Sequence, residues 1–248
     1  MNDLLGARMK FQYEDRFRYK LLRRVPTIIR IDGKAFHTYT RGLNKPFDEG
    51  FIEDMQETMR FLCKEIQGVK LGYCQSDEIS LLITDYDTIN TSAWFDYNLQ
   101  KMCSVSASLT TSEFNRLRIM RNMEFFNLDS DVAKMLVYGM TMANFDSRVF
   151  QIADLEEVVN YFIWRYFDAK RNSISMLAQS LYSPKELEGK NTTIQQQMCL
   201  DKGQDWNELH WSKRVGSVCL YQDQSWQIVE RPDNDEFRNI VKELIKYE

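Results

Sequence analysis

The succession of apolar patterns between residues 27 and 152 constrains this chain more than its composition does. Residues 27–31 (TIIRI) follow Pro26 as a β-branched run and stop at Asp32-Gly33, which reads as a short strand. Asp48 stands as an N-cap ahead of Phe51, Ile52, Met55, Met59, Leu62, Cys63 and Ile66 at helical spacing, and Gly68 closes that helix. Residues 69–75 and 78–84 read as two strands joined by a tight turn at Ser76-Asp77. A helix is expected from about 92 to 115, with Phe95, Leu99, Met102 and Leu109 on one face, and residues 148–152 (RVFQI) read as a further strand. The order is β-α-β-β-α-β, the split βαβ arrangement of ferredoxin-like, palm-type sheets. The fold class is therefore α+β, an antiparallel sheet with helices packed on one face and additions at the C-terminal end.

Asp154 caps the clearest helix of the sequence, because Leu155, Val158, Val159, Phe162, Ile163, Tyr166 and Phe167 make an unbroken apolar stripe. Short helices, a hairpin at 217–221 and 226–229, and a charged final helix follow. Only 10 Gly and 4 Pro are spread over 248 residues, so no linker announces a boundary. The chain reads as a single domain over 1–248, with a core palm at about 25–152 and helical and hairpin additions over 153–248.

This topology turns pattern into chemistry. If the third strand lies between the first two, the end of strand one sits beside the start of strand three. Asp32 occupies the first of those places and Asp77 the second, so two carboxylates 45 residues apart meet at one edge of the sheet. Such a pair repels unless a cation lies between the two. Two Mg²⁺ ions would resolve the repulsion, and the Gly33 carbonyl would add an oxygen ligand. Asp-Gly and Ser-Asp-Glu are also ordinary turn sequences, and only their joint placement favours the catalytic reading. The segment Lys34-Ala35-Phe36-His37 follows the turn directly. Its backbone N–H groups would cradle a triphosphate, with Phe36 or His37 against a base.

Composition narrows the alternatives. The charge is −4 overall, yet residues 1–30 hold eight basic side chains against three acidic ones, a net +5 that attracts polyanions or solvates a helix. A second basic concentration includes Arg165, Lys170 and Arg171, and runs on through Lys185, Lys190, Lys202, Lys213 and Arg214. Five cysteines without a C-x-x-C pair and only two histidines exclude zinc spacing, so any metal here takes oxygen ligands. No apolar run approaches the ~20 residues of a membrane span, and the charged N-terminus does not read as a signal peptide. A cytoplasmic protein is expected.

Five ordered blocks resemble the histidine-tRNA guanylyltransferase family: TIIRIDGKAFH at 27–37, NKPFD at 44–48, GYCQSDEIS at 72–80, FDSRV at 145–149 and WRYFDAKRNSISM at 164–176. The chain looks similar to the bacterial-type "like" branch, the template-dependent 3′-to-5′ polymerases. Where eukaryotic members carry HINNLYN, it has Lys170-Arg171-Asn172-Ser173-Ile174-Ser175-Met176. The resemblance implies that Asp32, Gly33 and Asp77 hold two Mg²⁺. It implies that Asp32 to His37, with Ser76 and Asp77, contact the nucleoside triphosphate. Lys45, Lys170, Arg171, Asn172 and, through a gapped match, Lys202 would contact phosphate or tRNA. Glu78 is a candidate support for the metal Asp, with a structural role equally open.

The activity so implied is addition of nucleotides to the 5′ end of tRNA after ATP or GTP activates the 5′-phosphate, by a homodimer or homotetramer. Two rivals remain from the sequence. One is a nucleotide cyclase or another palm-type nucleotidyltransferase; the other is a non-catalytic RNA-binding module.

Overall fold

The structure is a computed structural model that describes residues 4–126 and 141–247. Six strands, β1 (Thr27–Gly33), β2 (Val69–Gln75), β3 (Glu78–Ile83), β4 (Phe145–Gln151), β5 (Ser217–Gln222) and β6 (Ser225–Glu230), form one sheet in the order β4-β1-β3-β2-β5-β6. Every pairing is antiparallel. The helices of ten or more residues are α1 (Glu49–Glu65), α2 (Leu99–Phe126), α3 (Leu155–Leu181), α4 (Thr192–Asp201) and α5 (Asn234–Leu244).

Period-2 alternation splits the strands' apolar residues between two layers. Ile29, Ile31, Ile79, Leu81 and Ile83 face α1 and α2, meeting Met55, Met59, Leu62 and Phe114 in one core. Ile28, Leu71, Tyr73, Leu82, Val218 and Leu220 face the opposite way, against Val158, Val159 and Phe162 of α3 and Phe237 and Val241 of α5. The helices of the β-α-β-β-α-β core thus pack on one face, as expected, while α3 and α5 from the C-terminal additions cover the other. That second layer sandwiches the sheet and brings α3 across the end that carries the acidic pair. The hairpin β5-β6 extends the same sheet through β2. Gly216 makes this join possible: its φ is +80°, and a Cβ there would lie 2.4 Å from the Cys74 carbonyl oxygen.

Both expected caps form. The Asp48 carboxylate accepts from Phe51 N–H at 2.7 Å, and that of Asp154 from Glu156 and Glu157 N–H at 2.8 and 3.1 Å. The second core helix departs from its expected bounds. Residues 94–97 form a separate 3₁₀ turn in which Phe95, Asp96 and Tyr97 have positive φ, so α2 starts only at Leu99. It continues past Asn115, whose side-chain amide is engaged by the Thr111 and Ala143 carbonyls and the Ala143 N–H instead of breaking the helix.

Candidate active site

Backbone pairing places the acidic residues. In β1, Asp32 stands opposite Glu78 of β3 on one side and Asp146 of β4 on the other. The hairpin between β2 and β3 turns at Ser76, which is left-handed with φ 50°, and Gly33 N–H donates to the Asp77 carbonyl at 3.1 Å. The end of β1 is thereby tied to the start of β3, which puts Asp32 and Asp77 on neighbouring strand ends as the topology required. Burial pushes the Asp77 carboxyl up to about 6, and the negative Asp32 nearby adds to that rise. An unneutralised acid pair at this edge is electrostatically costly, and the cost disappears when a divalent cation sits between the carboxylates.

Gly33 has a steric reason to be glycine. A Cβ there would lie 2.2 Å from the Phe36 ring, which folds back beneath the strand end. Phe36 belongs to an aromatic cluster with Tyr39, Phe51 and Phe145 at centroid distances of 4.9 to 6.0 Å. Phe36 is buried and His37 exposed, and both residues line the cavity at this end of the sheet. Ala35 sits in the left-handed region at φ 55°, which opens the backbone ahead of the single helical turn Phe36–Tyr39. The Lys34 N–H is taken by the Asn144 carbonyl at 2.8 Å. Those of Ala35, Phe36 and His37 have no backbone partner among the described residues, which leaves them available as donors.

A cavity of about 670 Å³ opens at this end of the sheet. Its wall includes His37, Lys45, Ser76 and Asp77 from the core, Asn172 and Met176 from α3, and Arg214 from the additions. The volume suits one nucleotide. Asp32, Gly33, Lys34 and Ala35 do not line the cavity. Lys170 and Lys202 do not line it either: the Lys170 ammonium lies over the Trp206 ring at 5.5 Å and that of Lys202 over Tyr182 at 5.5 Å. Arg171 is exposed and pairs with Asp168.

Glu78 has a partner of its own. Arg165 donates to it twice, at 2.7 and 2.6 Å, and Arg30 once, at 2.7 Å. Arg165 is 3% exposed, so it does not belong to the surface basic patch expected from the sequence. The bidentate pair spans from β3 to α3 and fixes the helix over the acidic edge. Sequence reasoning also missed Asp146 and Arg148. Arg148 reaches Asp32 at 3.5 Å and Asp146 at 3.4 Å. The signal for both lay in the strand FDSRV, whose pairing begins at Phe145 opposite Gly33, three residues before the expected start.

No group of three or more His, Cys, Asp and Glu side chains gathers as a metal cage among the described residues. Oxygen groups at the edge, the Asp32 and Asp77 carboxylates and the Gly33 carbonyl, would be the candidate donors. Such a set suits Mg²⁺, which keeps several waters and takes further oxygens from a phosphate.

Comparison with known proteins agrees with this architecture. The family profile described as Thg1, tRNAHis guanylyltransferase, matches residues 7–153. A bacterial tRNA(His) guanylyltransferase (Thg1)-like protein solved with ATP superposes with a TM-score of 0.86 at 40% identity, over 97% of this chain and 99% of that one. A bacterial Thg1-like structure with GTP gives 0.80 at 38% identity, over 98% and 99% of the two chains. A probable tRNA(His) guanylyltransferase of Dictyostelium discoideum is 28% identical over 68% of this chain. The chain spans 53% to 66% of the length of curated relatives from a mimivirus, Dictyostelium and Drosophila melanogaster. With more than half of its length matched by the profile and nearly all of it aligned with the bacterial structures, the chain belongs to the Thg1 tRNAHis guanylyltransferase family.

Proposed function

We propose that the chain, acting as one catalytic domain, is a template-dependent 3′-5′ nucleotidyltransferase that adds nucleotides to the 5′ end of tRNA. The observation that carries this reading is the meeting of Asp32 and Asp77 beside a nucleotide-sized cavity whose wall Asp77 shares. Family membership in a group of nucleotidyltransferases, and bacterial neighbours whose structures hold ATP and GTP, support it.

The reaction has two transfers. The tRNA 5′-monophosphate attacks the α-phosphorus of ATP or GTP and displaces pyrophosphate. The 3′-OH of the incoming nucleotide then attacks the activated 5′-phosphorus and releases AMP or GMP. Enzymes of this kind typically use divalent metal. Two Mg²⁺ ions, when held by Asp32, Asp77 and the Gly33 carbonyl, would activate the attacking oxygen and neutralise the phosphates. Among the chain's own groups, the free N–H donors at Phe36 and His37 orient phosphate, and Lys45 and Arg214 set positive charge on the cavity wall. Asn172 adds a polar contact from α3, and His37 offers an exposed ring to a base. Lys170, Arg171 and Lys202 do not line the cavity and suit the tRNA backbone. Base choice then falls to pairing with the template strand. A homodimer or homotetramer working in the cytoplasm completes the reading; no described helix is long and apolar enough to cross a membrane.

The test is incubation with a tRNA lacking its first nucleotide, Mg²⁺ and each nucleoside triphosphate in turn. The expected product is one templated nucleotide longer at its 5′ end. Cyclic nucleotide formed without RNA, or RNA binding without any transfer, would overturn the proposal.

A further inference from the structure

The acid pair has a second open side. Asp77 shares the nucleotide-sized cavity, whereas Asp32 lies outside it on the face of β1 and β4 that α3 crosses. Directly opposed residues of an antiparallel pair share a face. Asp32 and Asp146 therefore form one row there, and Arg30 and Arg148 the next. Arg148, 56% exposed, leans back on the acid row. From above, α3 places Trp164 beside Arg30 of that second row. The Arg30 guanidinium carbon lies 5.8 Å from its ring centre and that of Arg165 lies 4.5 Å away.

Trp164 is nevertheless 52% exposed, as is Phe167 three residues further along α3. Arg165 is held by Glu78, and Tyr161 abuts the indole edge-on at 6.0 Å, so the ring is braced by its neighbours while half of the residue stays exposed. A rigid, open indole framed by arginines matches the requirements of an unpaired nucleobase carrying phosphate. Nucleotidyl transfer also needs two seats flanking the acids, one for the triphosphate and one for the polynucleotide end. The cavity supplies the first.

We propose that Trp164 is the stacking platform for the 5′-terminal nucleobase of the RNA substrate, with Arg148 beside that nucleotide's phosphate. This rests on the nucleotidyl-transfer reading. It adds where the RNA end lies, on the β1-β4 side of the acids and opposite the triphosphate.

The experiment is equilibrium binding, without triphosphate, of a 5′-phosphorylated RNA hairpin labelled at its 3′ end and followed by fluorescence anisotropy. A second hairpin carries an abasic 5′-terminal nucleotide. One stacked base corresponds to about 5- to 150-fold in affinity. The abasic hairpin is expected to bind the wild-type chain weaker by that factor. Trp164→Ala is expected to lose the same factor on the normal hairpin and nothing more on the abasic one, while Trp164→Phe keeps most of the affinity. Equal dissociation constants for the two hairpins on the wild-type chain overturn the platform, as does an equal loss on both hairpins in Trp164→Ala. ATP binding in the cavity, which Trp164 does not line, reports that the variant is folded. If that binding is lost, the two hairpins on the wild-type chain decide alone. Because no turnover is needed, base-dependent binding without any transfer retains the platform and removes the nucleotidyl-transfer reading. Transfer with no dependence on the terminal base does the reverse.

Discussion

At the scale of the residue, the site is built from compromises visible in single side chains. Gly33 yields its side-chain space to the Phe36 ring, so Gly33→Ala forces the ring or the strand end to move. Overpacking of this kind costs about 1–3 kcal/mol, and urea denaturation is expected to show a lower midpoint with an unchanged slope. Asp77 carries a second compromise. Its folded pKa of about 6 lies above the unfolded value near 3.8, so the native state holds the proton more tightly. Its contribution to stability is therefore full at acidic pH and is lost as pH rises through about 6. In metal-free buffer, Asp77→Asn is expected to be more stable than the wild-type chain at pH 8 by about 1–2 kcal/mol, with the gap closing near pH 4. Mg²⁺ is expected to raise the thermal midpoint of the wild-type chain and leave that of Asp77→Asn unmoved. Thermal melts across pH, with and without Mg²⁺, check both statements.

At the scale of the element, the ion cluster joining β1, β3 and α3 holds the helix in place. Removing Arg165 leaves Glu78, 4% exposed, with Arg30 as its only cation among the described residues. Arg165→Ala is expected to cost about 3–5 kcal/mol by chemical denaturation, whereas loss of the exposed Arg171–Asp168 pair costs at most about 1 kcal/mol. How much of the fold was legible follows the same local logic. Strands β1 to β3 and helix α1 announced themselves because β-branched runs, Asp48 and Gly68 all agreed. The start of α2 did not, because a 3₁₀ turn with three positive φ values carries no periodic signal. The end of α2 was hidden because Ser106, Thr110, Asn115 and Arg118 are buried polar residues on a helix face that sequence reads as solvent. Within the site, Asp32 and Asp77 were legible because topology alone brings them together. Asp146 and Arg148 depended on the register of an edge strand, and the Arg165–Glu78 pair on where α3 docks. Neither is encoded within a local window of sequence.

At the scale of the molecule, a chain of net charge −4 that acts on tRNA would bind it through restricted faces. Much of the basic N-terminal segment is already neutralised: Arg18 pairs with Glu14, Lys20 with Asp96, Arg23 with Asp85 and Arg30 with Glu78. Arg8, Lys10 and Arg16 have no ion-pair partner among the described residues and stand exposed. Replacing these three with Ala is expected to weaken tRNA binding and to reduce the steepness of its log–log salt dependence by about 2–3. Affinity titrations at several salt concentrations read this directly.

The central claim concerns the whole arrangement, two carboxylates delivered by separate strands to one edge to run a phosphoryl-transfer reaction. It is tested most directly by the Mg²⁺-dependent rate at which labelled nucleotide enters the 5′ end of a truncated tRNA, in the wild-type chain, Asp32→Ala and Asp77→Asn. The expected result is transfer by the wild-type chain alone, with tRNA affinity largely kept in both variants. Undiminished transfer in either variant would contradict the account.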